Sequence, residues 1–156
     1  MDYQKYVIMG TWTAEEAVWL MGRGSGKSFL GGVYITARSL LYPNHRTYIM
    51  TGTADMSKET FSNIENIALK QVATLKNPSD VLINEVVKSS TNNGFTHDKQ
   101  SHRCKFYNGS FVASLIGDEK QIVGKRCEVA YYDEAGKISQ NFFDLTEPFT
   151  VIDADF

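Results

Sequence analysis

The chain has 156 residues, 42% of them hydrophobic, and its 16 Lys and Arg against 18 Asp and Glu give a formal net charge of −2. This length and composition predict one globular domain with a core of its own. The charge excludes a general polyanion binder, so any nucleic-acid contact must be a local patch or belong to an assembly. No apolar run approaches membrane-spanning length, and the first residues lack the layout of a signal peptide.

The first predicted elements are a strand, a glycine-rich loop and a helix in direct succession. The apolar run 17–21 predicts a fully buried strand. Gly22, Gly24 and Gly26 then free the backbone for a tight turn that aims several amide N–H groups into one concavity. Apolar residues at helical spacing predict a helix over 27–41, and the N-terminus of that helix favours an anion at the same place.

The loop reads Met21-Gly22-Arg23-Gly24-Ser25-Gly26-Lys27-Ser28, with methionine where the phosphate-loop pattern has its first glycine. We expect 22–28 to wrap a triphosphate, with Lys27 reaching the β- and γ-phosphates and Ser28 placing its hydroxyl on Mg²⁺. Arg23 either neutralises charge on the γ-phosphate or points to solvent or a carboxylate. The alternative for the whole segment is a glycine-rich turn that caps an ordinary helix.

The middle of the chain predicts alternating strands and helices. A core strand is expected over Arg46–Thr51, and a helix over Ser57–Leu75 with Ser57 as its cap and Pro78 beyond its end. The stretch 81–88 fits either a helix or a strand, and 89–98 is predicted to be loop. The further expected elements are two strands at 103–107 and 111–116 that form a hairpin through Asn108-Gly109, a buried strand at 129–132 and a helix at 139–145.

The strand at 129–132 is followed directly by Asp133-Glu134. Ligands of open α/β sheets bind beyond the carboxyl ends of the strands, and these two carboxylates fall at such an end. We expect Asp133 to hold Mg²⁺ through water and Glu134 to orient and polarise the attacking water. The plain alternative is that the pair opens the next loop. With the upstream loop, the pair indicates a nucleoside triphosphatase with an α/β fold and a mostly parallel sheet.

Several of these segments resemble the ATPase domain of the large terminase subunit of tailed bacteriophages. The resemblance covers nearly the whole chain and lies in the loop 21–28, the segment 50–53, the hairpin 105–115 and, above all, the run 116–135. Its most specific feature is the loop together with the later Gly124-Lys125-Arg126 and Asp133-Glu134-Ala135. It implies a RecA-like P-loop fold of the ASCE class, with an added β-hairpin, in which Arg23 contacts the γ-phosphate.

The resemblance also implies what the protein does. It implies ATP hydrolysis that drives double-stranded viral DNA into a procapsid, in the host cytoplasm, by a homo-oligomeric ring that works with a portal protein and a small terminase subunit. No membrane contact and no nuclease activity are expected of this chain. Val123 stands where many relatives carry a trans-acting arginine, which leaves Lys125 or Arg126 as replacements. The sequence ends before the coupling motif and the nuclease domain, which predicts a fragment or one piece of a split protein.

Other side-chain groups predict less. His97, His102 and Cys104 lack the spacing of a zinc site. Gln4 and Trp12 are candidates for contacting the nucleotide base, although the favoured interpretation places both in packing or on the surface. The carboxylates near the end of the chain do not indicate a two-metal nuclease. A scattered basic set around the hairpin either contacts DNA phosphates or, as the favoured interpretation, forms a solvated face; its members are Lys99, Arg103, Lys105, Lys120, Lys125 and Arg126.

Two other functions stay open. A different P-loop enzyme would be helicase-like or a nucleotide kinase, although a kinase should carry an arginine-rich lid that this sequence lacks. The chain could also be a nucleotide-binding fragment without independent activity.

Overall fold

A five-stranded sheet organises the structure, which is a computed structural model that describes residues 2–73, 80–98, 101–116 and 125–150. The strands lie in the order β2-β3-β4-β1-β5. In chain order they are β1 (Arg46–Thr51), β2 (Phe95–His97), β3 (His102–Lys105), β4 (Phe111–Ile116) and β5 (Val129–Tyr132). Strand β1 pairs in parallel with both β4 and β5, whereas β2 and β3 add antiparallel strands at one side. The predicted mixed sheet with a parallel centre is confirmed.

Five α-helices accompany the sheet in the described part of the chain: α1 (Asp2–Trp12), α2 (Lys27–Leu41), α3 (Ala54–Ala68), α4 (Val81–Glu85) and α5 (Gln140–Thr146). Helices α2 and α3 bury their apolar stripes on one sheet face, around Ile35, Phe61 and Ile64. Helix α5 packs Phe142 on the opposite face, against the side chains of β1 and β4. No helix among the described residues is both long and apolar enough to cross a membrane.

Helix α2 and strands β1, β4 and β5 have the bounds that the sequence predicts. The hairpin is also confirmed, because β3 and β4 pair with Cys104 opposite Val112. Segment 81–88, for which the sequence allowed a helix or a strand, contains one after the other. It begins with the short helix α4, and Val86 directly after it forms a β-bridge with Phe106.

The prediction of a buried strand at 17–21 is wrong. This segment has no strand pairing, and Val18 and Leu20 are 83% and 93% exposed. Trp19 turns inward, where its Nε1 donates to Thr11 Oγ1 at 2.7 Å and its ring packs edge-on against Tyr131. An apolar run therefore does not by itself select a strand, because that run must also find an unpaired sheet edge within reach.

Three further element predictions need correction. Helix α3 begins at Ala54, so Ser57 lies inside the helix, and it ends at Ala68, where Lys70 adopts a left-handed φ of 59°. The predicted stop at Asn77 and Pro78 lies outside the described residues. Residues 95–97 belong to β2 rather than to a loop, because they find partners on β3 that the sequence alone does not reveal.

Candidate functional site

The glycine-rich segment 22–26 forms a turn that leads directly into α2. Gly24 and Gly26 have φ values of 74° and 82°, in the left-handed region that only glycine adopts at no cost. Ser25 Oγ donates to the Gly22 carbonyl at 2.7 Å, and the Leu30 amide begins the helix ladder on the Gly26 carbonyl. The backbone conformation is thus the one that the sequence predicts, a tight turn at the N-terminus of a helix.

The two cations of the loop take different positions. Lys27 folds back over the turn, and its Nζ donates to the Met21 carbonyl at 3.2 Å. This contact holds the partly buried ammonium group against the turn. Arg23 is exposed, and no described carboxylate lies within ion-pair distance of its guanidinium. The guanidinium of Arg23 therefore points to solvent in this structure, and its contact with a γ-phosphate stays a prediction.

Helix α1, which the sequence does not predict, packs against the same loop. Tyr3 Oη donates to the Ser25 carbonyl at 3.2 Å, and Gln4 Nε2 lies 3.6 Å from the place where a Cβ on Gly26 would stand. Gln4 therefore lies beside the loop, and its contact with a nucleotide base stays a prediction. Trp12 lies at the far end of α1, packed against Tyr34.

The direction of α2 brings the loop and the predicted carboxylates to one edge of the sheet. The last residue of the helix is followed by Tyr42, whose carbonyl accepts a bond from Ser110 Oγ beside the start of β4. The C-terminus of α2 thus lies at the amino edge of the parallel strands. At the other end, Gly31 packs on Tyr131, near the carboxyl end of β5. The loop before α2 therefore belongs to the carboxyl edge, where Asp133 and Glu134 also lie.

Asp133 is buried, with 5% of its surface exposed, and its amide extends the pairing of β5 by donating to the Met50 carbonyl at 3.0 Å. One carboxylate oxygen, Oδ1, accepts the Glu134 amide at 3.1 Å, and the other, Oδ2, accepts the hydroxyl of Thr60. A buried carboxylate needs such donors to offset its loss of hydration. Both oxygens of the Asp133 carboxylate therefore have a donor.

Thr60 is the residue of this site that sequence reasoning missed. It lies in α3, fully buried, and its partner Asp133 is 73 positions away along the chain. The sequence feature that could have identified Thr60 is its position four residues before Ile64, which places its hydroxyl on the apolar stripe of the helix. A hydroxyl on such a stripe needs a hydrogen-bond partner, because an unpaired buried donor is costly.

Glu134 sits just past the strand in a left-handed conformation, with a φ of 53°. This conformation costs a non-glycine residue about 1–2 kcal/mol. Its side chain is exposed and lies 3.7 Å from Lys137 Nζ. The backbone of Lys137 also packs against the turn that follows β1, because the Lys137 carbonyl would be 2.7 Å from a Cβ on Gly52. The turns after β1 and β5 therefore pack together and leave the Glu134 carboxylate in solvent at the carboxyl edge.

Close packing joins α2 to the strand that carries these carboxylates. A Cβ on Gly31 would clash with the hydroxyl of Tyr131, so glycine is required for this approach. Burial, with the charge of Asp133, raises the pKa of the Tyr131 hydroxyl. No described hydrogen bond joins Lys27 or Ser28 directly to Asp133 or Glu134. The structure thus brings the two halves to one edge without placing them in contact.

The remaining candidates form no metal site in the described part of the chain. His97 and His102 face each other across the β2–β3 hairpin, with their Nδ1 atoms 2.6 Å apart, and His97 Nε2 lies 3.0 Å from Glu65. Cys104 and Cys127 are free, and burial raises the pKa of each thiol to about 12. Of the predicted basic set, Lys99 and Lys120 lie outside the described residues. Val123, the position of the trans-acting arginine in relatives, also lies outside them.

No protein-family model matches the chain, and no curated protein matches it. Among solved structures, the chain is similar to the large terminase from a thermophilic bacteriophage, with a TM-score of 0.63 and 8% sequence identity. The likeness covers 96% of this chain and 36% of that terminase, so the chain spans about a third of its length. At this identity the comparison shows a terminase-like fold.

Proposed function

We propose that the chain is an ATP-hydrolysing P-loop domain with a RecA-like sheet of the ASCE class, serving a DNA-packaging motor of the large-terminase kind. One observation carries the proposal: the Gly26-Lys27-Ser28 turn and the buried Asp133 belong to the same edge of a parallel sheet. The fold likeness to the large terminase of the thermophilic bacteriophage supports the same class of motor.

The residues present suit a triphosphate with its Mg²⁺. The segment 22–28 supplies glycine backbone in the required conformation, and Lys27 holds a positive charge over it. Ser28 and Asp133 offer the hard oxygen ligands that Mg²⁺ prefers. When bound, this ion would neutralise charge on the β- and γ-phosphate oxygens. Thr60 and the Glu134 amide hold the Asp133 carboxylate in one orientation.

The chemistry assigned to the side chains is positioning and charge neutralisation. Lys27 would exchange the Met21 carbonyl for the β- and γ-phosphate oxygens. Glu134, exposed just past β5, would accept a hydrogen bond from the attacking water and polarise it. Arg23 would fold from solvent onto the γ-phosphate. In this assignment Gln4 contacts the base from the α1 side of the loop.

The partners follow from the same proposal. They are double-stranded viral DNA, a portal protein and a small terminase subunit, with several copies of the motor forming a ring in the host cytoplasm. A helicase-like motor of the same fold class is the alternative within P-loop enzymes.

A nucleotide-binding fragment without turnover is favoured by one observation, the unpaired segment 17–21. Because the residues before the loop take no place in the sheet, the loop lacks the strand that would fix its position. A loop held in this way could bind a triphosphate without aligning it for hydrolysis.

Two matched variants test the proposal. Lys27→Ala should abolish ATP binding in calorimetry, since it removes the cation held over the loop. Glu134→Gln should bind ATP like the parent and hydrolyse it at least about 100-fold more slowly in a phosphate-release assay with Mg²⁺. Parental ATP affinity in the Lys27 variant would overturn the site. A parent that binds ATP but releases no phosphate, with or without DNA, would establish the binding fragment instead.

A further inference from the structure

An open groove of about 200 Å³ lies beside β3, at the opposite end of the sheet from the candidate nucleotide site. We call it the β3 groove. Its polar lining consists of Lys88, Ser89, Asn92, Thr96, Arg103 and Lys105, and no carboxylate among the described residues lines it. In a chain whose acidic residues outnumber its basic ones, three cations around one groove are a local reversal of charge.

The alternation of β3 explains why the cations share one side. His102 and Cys104 face the core beneath α3, with His102 packed on Phe61. Successive strand residues point to opposite faces, so Arg103 and Lys105 project from the other face. Thr96 pairs directly with Arg103 and shares that face. Helix α5 covers the part of this face formed by β1 and β4, and the β2–β3 part carries the cations instead.

The groove has a structured wall. Val86 bridges to Phe106, the Val87 amide donates to the Lys105 carbonyl, and Phe95 pairs with Cys104, so the segment 88–94 loops away from β3 between these contacts. Within this loop Ser89 Oγ accepts the Asn92 amide at 3.2 Å, and Asn92 Oδ1 accepts the Gly94 amide at 2.9 Å. Lys88 is therefore carried by a loop whose backbone is held by its own side chains.

One cation of the groove has an acidic neighbour. Arg103 lies 3.5 Å from Asp98, and both side chains are more than half exposed. Exposed pairs of this kind contribute little, and a guanidinium has five donors, so Arg103 keeps N–H groups for another acceptor. Lys88 and Lys105 are exposed and form no ion pair with a described carboxylate.

We propose that the β3 groove binds the phosphodiester backbone of nucleic acid. Its lysines, arginine, hydroxyl groups and amide are the side chains that contact phosphate and sugar oxygens. Its described lining contains no aromatic residue, whereas protein partners are usually held by buried aromatic anchors. Strands β4 and β1 separate β3 from β5, which puts the groove about 14 Å across the sheet from the nucleotide edge.

The test is a salt titration of DNA binding in the absence of nucleotide. Fluorescence anisotropy would follow a labelled duplex of about 20 base pairs and a single strand of equal length, at several salt concentrations. The variant Lys88→Gln/Lys105→Gln removes two groove charges, and Lys5→Gln/Lys70→Gln removes two exposed charges elsewhere as a matched control. Circular dichroism confirms that both variants are folded.

The groove variant should weaken binding about tenfold and reduce the slope of log affinity against log salt by about 2 for a duplex. The control should change affinity less than about twofold. The arm that responds, duplex or single strand, identifies the nucleic acid. Equal losses in both variants, equally tight binding of polyglutamate, or no binding by the parent at about 50 mM salt would each overturn the proposal. A failure of ATP hydrolysis alone would leave it standing.

Discussion

The hydrogen bond from Thr60 to Asp133 ties helix α3 to the carboxylate that directly follows β5. Asp133 has two oxygens, and the helix hydroxyl and the Glu134 amide each engage one of them. A carboxylate fixed in this way cannot rotate without losing a bond in a buried environment, where an unmade bond costs about 1–3 kcal/mol. Thr60 is therefore a positioning residue for Asp133.

Under the proposed function, in which Asp133 holds Mg²⁺, we predict that Thr60→Val keeps the fold but raises the Mg²⁺ concentration needed for half-maximal ATP hydrolysis by about tenfold, because residues that hydrogen-bond to a metal ligand commonly affect metal affinity on this scale. The measurement is a Mg²⁺ titration of phosphate release. Thr60→Ser, which retains the hydroxyl, is the control and should behave like the parent. A valine variant with the parental Mg²⁺ requirement would remove Thr60 from the site.

At the scale of single residues, the sequence predicted the site residues that lie in continuous motifs and did not predict the one that acts through a distant partner. The loop and Asp133-Glu134 were recognisable because each is a continuous motif with a physical requirement for those residue types. Thr60 was not, because its role depends on a residue 73 positions away. The roles assigned to Lys27, Ser28 and Arg23 stay predictions until nucleotide binding is measured.

Among elements, α2 meets β5 in a close contact between Gly31 and Tyr131. Gly31 lets the helix rest on the Tyr131 ring, and Trp19 packs edge-on against the same ring with a centroid distance of 6.0 Å. The tyrosine is thus enclosed from two sides and has little room to yield. This contact fixes the distance between the helix that follows the loop and the strand that leads to Asp133.

We predict that Gly31→Ala lowers the free energy of unfolding by about 1–3 kcal/mol, as overpacking in a filled core does. Gly10→Ala is the matched control, because a Cβ at Gly10 would meet nothing within 4 Å and alanine favours the helix. Urea denaturation would measure the free energy of unfolding of each variant and of the parent. Equal stability of the Gly31 variant and the parent would show that Tyr131 moves aside freely.

Elements with strong local signals were predicted well. The hairpin turn at Asn108-Gly109 and the periodic helix 27–41 carry their conformation in short stretches of sequence. Segment 17–21 and strand β2 failed for opposite reasons: the apolar run found no partner strand, and the polar run found one. Pairing between distant segments decides such cases, and composition does not encode it.

For the whole molecule, buried histidines link stability to pH. Burial, with the charge of Arg38, lowers the pKa of His45, and burial, with the charges of His97 and Lys58, lowers the pKa of His102. In both cases the unfolded chain binds a proton at a higher pH than the folded protein does. The stabilisation is therefore complete above the unfolded pKa, near about 6.5, and is lost as the pH falls through the folded pKa.

We predict that the free energy of unfolding decreases from about pH 7 to about pH 5, by at most about 1.4 kcal/mol per pH unit for each proton taken up. Urea denaturation at half-unit pH intervals would measure the slope. The double variant His45→Gln/His102→Gln should flatten the slope, whatever its own stability. An unchanged slope in that variant would assign the pH dependence to other groups.

The turn between β3 and β4 also closes the end of α2. Asn108 Nδ2 donates to the Ser39 carbonyl at 2.8 Å, and Ser110 Oγ donates to the Tyr42 carbonyl at 2.8 Å. These partners are 69 and 68 positions apart along the chain. During folding, the carbonyls at the C-terminal end of α2 therefore lack these hydrogen bonds until the β3–β4 hairpin packs against the helix. We expect that end of α2 to fray until the hairpin docks. Helix completion and sheet assembly then become a single cooperative event.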